Sequence, residues 1–389
     1  RKSPMDYALF GIILTLLAWG LVMVFSASAI LAERKYGGAL FFFKRQLLWT
    51  LLGLGTMWFF SRTNYNRLKE WVWPAFFMTA VVLIGALFAP ARENVHRWLP
   101  LGPFTFQPSE VAKYTAVLFL AYYLDRKHSK TASPIRGLLV PAGVVSGLLP
   151  LIALEPDLGT PILIFTVTIM VIWVGGGKLP YLFGALACSL PVVVYEIITR
   201  PYRLKRLVHY IGMLQGSSEA SYQLEQALLA VGSGGWLGKG IGASQLKLMY
   251  LPTPHTDFIF PVICEELGLV GAVTLLGLFA ALLLRGMRVA KTAPNLFGSL
   301  LATGITLTIT LQAFINACMS VGLLPTKGMP MPLISYGGSS LLVTMAAAGV
   351  LLNISRQSSL HSKYTAHGAP TLAKQGPWAG LPSMQVPRP

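Results

Sequence analysis

Tyr7-Ala-Leu-Phe-Gly-Ile-Ile-Leu-Thr-Leu-Leu-Ala-Trp-Gly-Leu-Val-Met-Val-Phe-Ser-Ala-Ser-Ala-Ile-Leu31 holds no charged side chain. Wound as a helix rising about 1.5 Å per residue, it is long enough to cross a hydrocarbon layer of about 30 Å. It is too long for a signal-peptide core, and no small-residue cleavage site stands out after it, so it reads as a first membrane span. The chain begins at Arg1 rather than Met, as expected of a trimmed start. Similar runs recur at approximately 45–61, 71–89, 109–124, 136–154, 159–175, 179–198, 258–284, 297–322 and 335–354. The expected fold is therefore an all-α polytopic membrane protein with about ten transmembrane helices. No internal repeat is visible.

Composition agrees. Of the 389 residues, 54% are hydrophobic and only 12% charged, whereas a soluble domain is about one-quarter charged. The net charge of +17 does not indicate a nucleic-acid partner, because the basic residues sit in short segments between apolar runs rather than along a phosphate-tracking groove. Cys188, Cys264 and Cys318 have no paired spacing and imply neither disulfide nor metal.

Orientation follows from the basic residues, which concentrate on the cytoplasmic side of short loops. With both termini cytoplasmic, the inner segments hold 17 of the 31 Lys and Arg but only Asp6, Glu70 and Asp125 of the 14 acids. Residues 1–355 then form the membrane domain. It includes one large extracytoplasmic loop, 200–257, between the seventh and eighth helices. Within that loop Tyr202 to Leu214 is amphipathic and suited to the interface plane, and Tyr222 to Ala230 reads as a second helix. Residues 356–389, polar and proline-rich, are expected to be a disordered cytoplasmic tail.

Four clusters carry possible chemistry. Gly232-Ser-Gly-Gly-Trp-Leu-Gly-Lys-Gly-Ile-Gly242 contains Gly-Lys but fails the phosphate-loop pattern, with Ser233 and Gly240 where Gly and Ser or Thr belong, so a close-packed loop is expected. Asp257 precedes an apolar helix, either as its N-cap or as a proton acceptor at the membrane surface. Glu265 and Glu266 follow inside the span, where carboxylates are costly and are either paired or functional. Adjacent positions face different ways, so at most one looks toward Asp257. In Arg97-Trp98…Gln107-Pro108-Ser109-Glu110…Lys113, Glu110 and Lys113 share a helix face. They form either an interfacial pair with Lys113 snorkelling or, with Arg97, a cationic pocket for a lipid headgroup or diphosphate. Finally, Gly322 to Ser340 is irregular, proline-rich backbone at membrane depth, tolerated only against protein or a water-filled cavity.

Together these segments resemble the SEDS family (shape, elongation, division and sporulation) of multi-span peptidoglycan polymerases. The resemblance is carried by Arg97-Trp98…Gln107-Pro108-Ser109-Glu110…Lys113, Glu155-Pro-Asp157-Leu-Gly159-Thr160 and Gly234-Gly235…Gly238-Lys239-Gly240. It continues through His255-Thr256-Asp257-Phe258-Ile-Phe260…Glu265-Glu266-Leu-Gly268 and Gly322…Leu324-Pro325…Gly328…Pro332…Ser335-Tyr336-Gly-Gly-Ser339-Ser340. The Pro325-Thr326-Lys327-Gly328 form looks more like the division branch (FtsW-like) than the elongation branch (RodA-like). His96 and Cys264 stand where small residues are expected, without displacing a motif residue.

The resemblance implies an inverting glycosyltransferase that polymerises lipid II, an undecaprenyl diphosphate carrying a disaccharide-pentapeptide, at the outer face of the bacterial cytoplasmic membrane near the septum. It places the catalytic aspartate at Asp257 and substrate contacts at Arg97, Glu110, Lys113, His255, Lys327, Ser335, Tyr336 and Ser339, with Glu265 and Glu266 as supporting residues. No organic cofactor is implied; a divalent cation, Mg or Mn, would help stabilise the leaving diphosphate, with ligands unassigned. Implied partners are a class B penicillin-binding transpeptidase and other division membrane proteins. The rival expectation is a lipid II flippase or transporter, which intramembrane carboxylates and broken helices also suit.

Overall fold

The computed structural model describes residues 5–90, 97–102, 104–127, 133–215, 222–245, 255–325 and 328–366. The helices are α1 (Tyr7–Tyr36), α2 (Phe41–Arg62), α3 (Leu68–Leu87), α4 (Pro108–Arg126), α5 (Val140–Ser146), α6 (Leu149–Leu154) and α7 (Gly159–Val174). They continue with α8 (Leu179–Ile198), α9 (Pro201–Leu214), α10 (Tyr222–Ser233), α11 (Ile259–Thr292), α12 (Leu296–Ser320) and α13 (Gly338–Ala366). A two-stranded hairpin, β1 (Leu99–Leu101) and β2 (Phe104–Phe106), precedes α4, with Leu99 opposite Phe106.

Every apolar run expected from sequence is helical. Among the described residues, seven segments are long and apolar enough to cross a membrane: α1, Tyr65–Leu87, Ile135–Leu154, α8, α11, α12 and Gly338–Ser358. α7 is apolar but shorter. α2 and α4 carry several charges, including Lys44, Arg45, Glu110 and Lys113.

Local chemistry sets the ends. Asp6 caps α1 by accepting from the Leu9 amide at 3.0 Å, and Asn295 caps α12 through Gly298 at 2.8 Å. Arg34 and Lys35 lie in the last turn of α1, where positive charge suits the helix dipole.

Three expectations are corrected. The run at 136–154 is not one helix: a π turn at Ile135–Leu139 leads into α5 and then α6, broken at Gly147 between Pro141 and Pro150. The last span begins at Gly338 rather than 335. The tail does not start at Arg356, because α13 runs to Ala366. No Pro or Gly interrupts 356–366, and Ser358 Oγ donates to the Thr292 carbonyl at 2.6 Å. The tail beyond 366 lies outside the described residues.

α12 and α13 form the centre of the bundle, 78% and 72% buried over their spans, whereas α8 is 6% buried and stands at the periphery. One end gathers polar contacts from both chain extremities. The Asp6 amide donates to Ser355 Oγ (3.3 Å), the Tyr65 amide to Asn353 Oδ1 (3.2 Å) and Tyr65 Oη to Asn295 Oδ1 (3.0 Å). Lys69 pairs with Asp125 at 2.7 Å. α9 leaves α8 through Arg203, a buried residue that pairs with Glu196 and donates to the Ala153 carbonyl at 2.8 Å.

Candidate active site

The β1–β2 hairpin determines where Arg97 and α4 begin. Phe104 on β2 packs against Trp49 of α2 with ring centroids 4.9 Å apart, and Arg45 lies over the same phenyl ring. The strand then passes into Gln107 and the N-terminal turn of α4, where Pro108 occupies the first helical position.

Inside α4, Lys113 donates to Glu110 Oε2 at 2.8 Å and to Gln312 Oε1 of α12 at 2.6 Å. Both members of the ion pair are 2% exposed. Lys113 therefore does not snorkel; its ammonium is engaged within the protein. Ser340 Oγ donates to the same Glu110 oxygen at 2.7 Å, and Gln312 Nε2 donates to the Pro330 carbonyl at 2.8 Å. This chain of bonds ties α4, α12 and the start of α13 to the irregular segment 328–337.

That segment is held from several sides. Ser335 Oγ accepts from the Met331 amide at 2.8 Å, and the Tyr336 amide donates to the His255 carbonyl at 2.9 Å. Ser339 Oγ accepts from the Gln107 amide at 3.4 Å. Gln46 of α2 donates to the Ser335 carbonyl and accepts from the Gly337 amide, each at 3.4 Å. Leu333 has φ +65°, a conformation costly for a branched residue and held only where the surroundings over-determine it.

Asp257 belongs to the turn before α11, whose N-cap is Phe258 rather than the aspartate. Asn316 of α12 fixes this turn, donating to the Asp257 carbonyl at 2.9 Å and the Met329 carbonyl at 2.7 Å. A methyl group built on Gly328 would lie 2.9 Å from Asp257 Oδ2 and 3.6 Å from an Arg97 guanidinium nitrogen. The aspartate and the arginine thus converge on one bare stretch of backbone. Among the described residues Arg97 Nε is buried without a hydrogen-bond partner, and the guanidinium lies over the Trp98 ring at 5.7 Å.

His255, 3% exposed, sits between Phe42 (4.6 Å) and Tyr336 (5.5 Å), and burial lowers its pKa to about 4. It is a neutral imidazole near pH 7. Glu155, between α6 and α7, is pushed the other way, to about 8, by burial first and then by Asp157, against the pull of Arg97. Asp157 itself is committed: it accepts from the Gly159 and Thr160 amides and from Thr160 Oγ1 at 2.7–3.1 Å, in the turn that enters α7.

Glu265 and Glu266 bind the glycine-rich loop. Glu265 accepts from Lys239 Nζ (2.8 Å), Ser244 Oγ (2.6 Å) and the Gln245 amide (3.1 Å), while Glu266 accepts from Ser26 Oγ of α1. Gly268 interrupts α11 with φ +65°, and a Cβ there would sit 2.4 Å from the Gly238 nitrogen. The loop is close-packed against this break in the helix. Lys327 lies outside the described residues.

Sequence reading did not single out Gln46, Gln312, Asn316 or Glu155 as site residues. Gln312 and Asn316 carried a usable signal, being polar side chains one helical turn apart inside a span. What Glu155 faces emerges only from the tertiary fold.

Among the described residues no group of three or more His, Cys, Asp or Glu is placed to hold an ion.

Fold and site define a polytopic membrane protein with a buried polar centre assembled from a hairpin, two turns and an irregular segment. The family described as "Cell cycle protein" (FTSW_RODA_SPOVE) matches residues 7–360, and the chain belongs to it. A probable peptidoglycan glycosyltransferase FtsW of Geobacter sp. (strain M18) is 36% identical over 91% of this chain and 98% of its own length. Stage V sporulation protein E of Bacillus subtilis (strain 168) is 39% identical over 92% and 99%. Among solved structures, a chain from work on "polymerization and crosslinking by a peptidoglycan synthase complex" superposes with TM-score 0.74 at 26% identity, covering 91% of this chain and 98% of that one. The rod shape determining protein RodA of Thermus thermophilus gives 0.68 at 26%, covering 91% and 97%.

Proposed function

We propose that this protein is a peptidoglycan glycosyltransferase that polymerises lipid II at the outer face of the bacterial cytoplasmic membrane, in septal wall synthesis. Ten crossings with both termini cytoplasmic fit this reading. Asp6, just before the first helix, and Ser355, within the last, meet at one pole of the bundle, beside the basic turns that favour the inner side.

The observation that carries the proposal is the convergence of Asp257 and Arg97 at Gly328. Asp257 takes the proton from the acceptor sugar's 4-hydroxyl. That oxygen attacks the anomeric carbon of the lipid-linked strand, and undecaprenyl diphosphate leaves with the bonding electrons. An α-linked donor giving a β-1,4 bond undergoes one inversion, so one base suffices and no covalent enzyme intermediate forms.

Negative charge grows on the diphosphate, and Arg97 is the cation presented to it. Lys113 is already engaged by Glu110 and Gln312, so it organises the floor of the site through Ser340 and Pro330. No step is routed through a metal ion. The backbone at Gly328, lacking a side chain, lets the Asp257 carboxylate and the Arg97 guanidinium approach it closely. The relatives named as glycosyltransferases and the synthase-complex neighbour support the activity and a class B penicillin-binding transpeptidase as partner.

The test is polymerisation of lipid II by purified protein, alone and with the transpeptidase. Asp257→Asn should abolish glycan strands while remaining folded; strands of normal length and rate would remove the aspartate from the mechanism.

A further inference from the structure

We propose that the glycine-rich loop 233–245 is set into the lipid leaflet rather than standing in water, with Trp236, Leu237 and Ile241 among the acyl chains. Its polarity is the reverse of a solvated loop's. Trp236 is 75% and Leu237 79% exposed, and Ile241 is exposed with them. Leu269, Val270 and Val273 of α11 are exposed alongside, and the Val270 amide donates to the Trp236 carbonyl at 3.2 Å. Single exposed apolar side chains are ordinary, but a contiguous patch marks a surface that something apolar covers. The polar groups turn the other way. Lys239, the single charged residue of this stretch, ends on Glu265 at 2.8 Å. Ser244 is buried and donates its hydroxyl to the same carboxylate at 2.6 Å.

Irregular backbone is tolerated at membrane depth only where protein satisfies its polar groups, and the loop's groups are paired in that manner. In an unbroken helix the Leu269 and Val270 amides would bond to the Glu265 and Glu266 carbonyls. The break at Gly268 gives all four groups to the loop. The Lys239 and Gly240 amides donate to the Glu265 and Glu266 carbonyls, each at 3.0 Å, while the Gly235 carbonyl accepts from the Leu269 amide at 2.9 Å. The Ser244 and Gln245 amides reach the Glu266 and Glu265 carboxylates at 3.3 and 3.1 Å.

α11 sets the depth. Leu267–Leu284 is uncharged between Glu266 and Arg285, and as helix it rises about 27 Å, close to the thickness of the hydrocarbon. Bonds to residues 265–270 therefore hold the loop at the margin of that layer, where tryptophan is favoured. Its apolar face continues the lipid-facing side of the span, so acyl chains are what cover it. The leaflet is the outer one on the orientation proposed above; the insertion itself rests on α11 alone.

The experiment places a nitroxide at Leu237→Cys or Ile241→Cys in the full chain in nanodiscs, with Cys188→Ala, Cys264→Ala and Cys318→Ala as background. Two references bracket it: Glu33→Cys at the exposed end of α1, and Val81→Cys on the exposed face of α3. The ratio of oxygen to nickel-chelate collisions at 237 and 241 should exceed that at 33 by about tenfold, because hydrocarbon excludes the polar chelate, and should fall on the side of 81. A ratio equal to that at 33 overturns the proposal, since the loop then stands in water. Occlusion from both reagents also overturns it, since protein then covers the patch.

A second measurement keeps the native cysteines. The part of the tryptophan emission that Trp236→Phe removes should be quenched by phosphatidylcholine brominated on its acyl chains and not by aqueous iodide. Quenching by iodide, or by neither, overturns the insertion.

Discussion

The side-chain amide of Asn316 holds the backbone of Asp257: one nitrogen donates to the Asp257 carbonyl at 2.9 Å and to the Met329 carbonyl at 2.7 Å. α12 thereby joins the turn that carries the carboxylate to the segment that faces it. Asn316→Leu removes both donors and strands two carbonyls. Each orphaned group costs about 1–3 kcal/mol. We expect a lower Tm and a fall in polymerisation kcat of at least tenfold, with a smaller change in KM. Unaltered kcat in a folded variant would show that Asn316 does not position Asp257.

Gly328 is open to a sharper test. An added methyl would sit 2.9 Å from Asp257 Oδ2, nearer than carbon and oxygen approach without repulsion, so Gly328→Ala should push the carboxylate aside. The clashing atom is the end of a side chain rather than main chain, so thermal stability should change little while strand synthesis falls by more than tenfold. Activity within twofold of wild type would mean that the carboxylate moves freely and that the convergence on Gly328 does not matter.

Lys113 and Glu110 are a buried pair, 2% exposed on each side. Removing one charge leaves the other buried alone, at a cost of about 3–5 kcal/mol. Lys113→Met and Glu110→Gln should therefore each unfold the protein at markedly lower temperature. The double variant should be far less damaged than the two losses added together. Additive losses in a double-mutant cycle would deny that the pair acts as a unit.

Most of the fold was legible because membrane helices announce themselves by length and apolarity, and the glycine-rich loop because its pattern fits neither a phosphate site nor a helix. Segment boundaries were less so. The broken helix at 135–154 depends on how Pro141, Gly147 and Pro150 share the strain, and α13 continues past Arg356 because Ser358 finds Thr292 from another element. In the site, the motif residues were visible as motifs, but Lys113 read equally as a surface cation. Only the arrival of Gln312 from α12, 199 residues away, turns it inward. Glu155 was visible as a motif residue without any indication of burial.

The close packing of the glycine loop makes its own prediction. Gly268 has φ +65°, and a Cβ would lie 2.4 Å from the Gly238 nitrogen and 2.5 Å from the Trp236 carbonyl. Gly268→Ala meets both a left-handed backbone and a clash with main chain, so a loss of about 1–3 kcal/mol is the least expected. Its readout is protease sensitivity within 232–245, where the Lys239–Glu265 bond should open first. An intact loop in that variant would show that the break in α11 is not what seats it.

His255 makes the stability of the site depend on acid. Burial lowers its pKa to about 4, below the value of about 6.5 expected when unfolded. Between those values the unfolded chain binds a proton that the folded protein does not, so stability rises with pH through this window. The contribution is complete above about pH 6.5, falls as the pH drops toward 4, and amounts to about 3 kcal/mol at most. His255→Gln keeps a polar side chain between Phe42 and Tyr336 but has nothing to titrate. Thermal unfolding at pH 7, 5.5 and 4.5 should show wild type losing more stability than the variant, and parallel losses in the two proteins would place the acid sensitivity elsewhere.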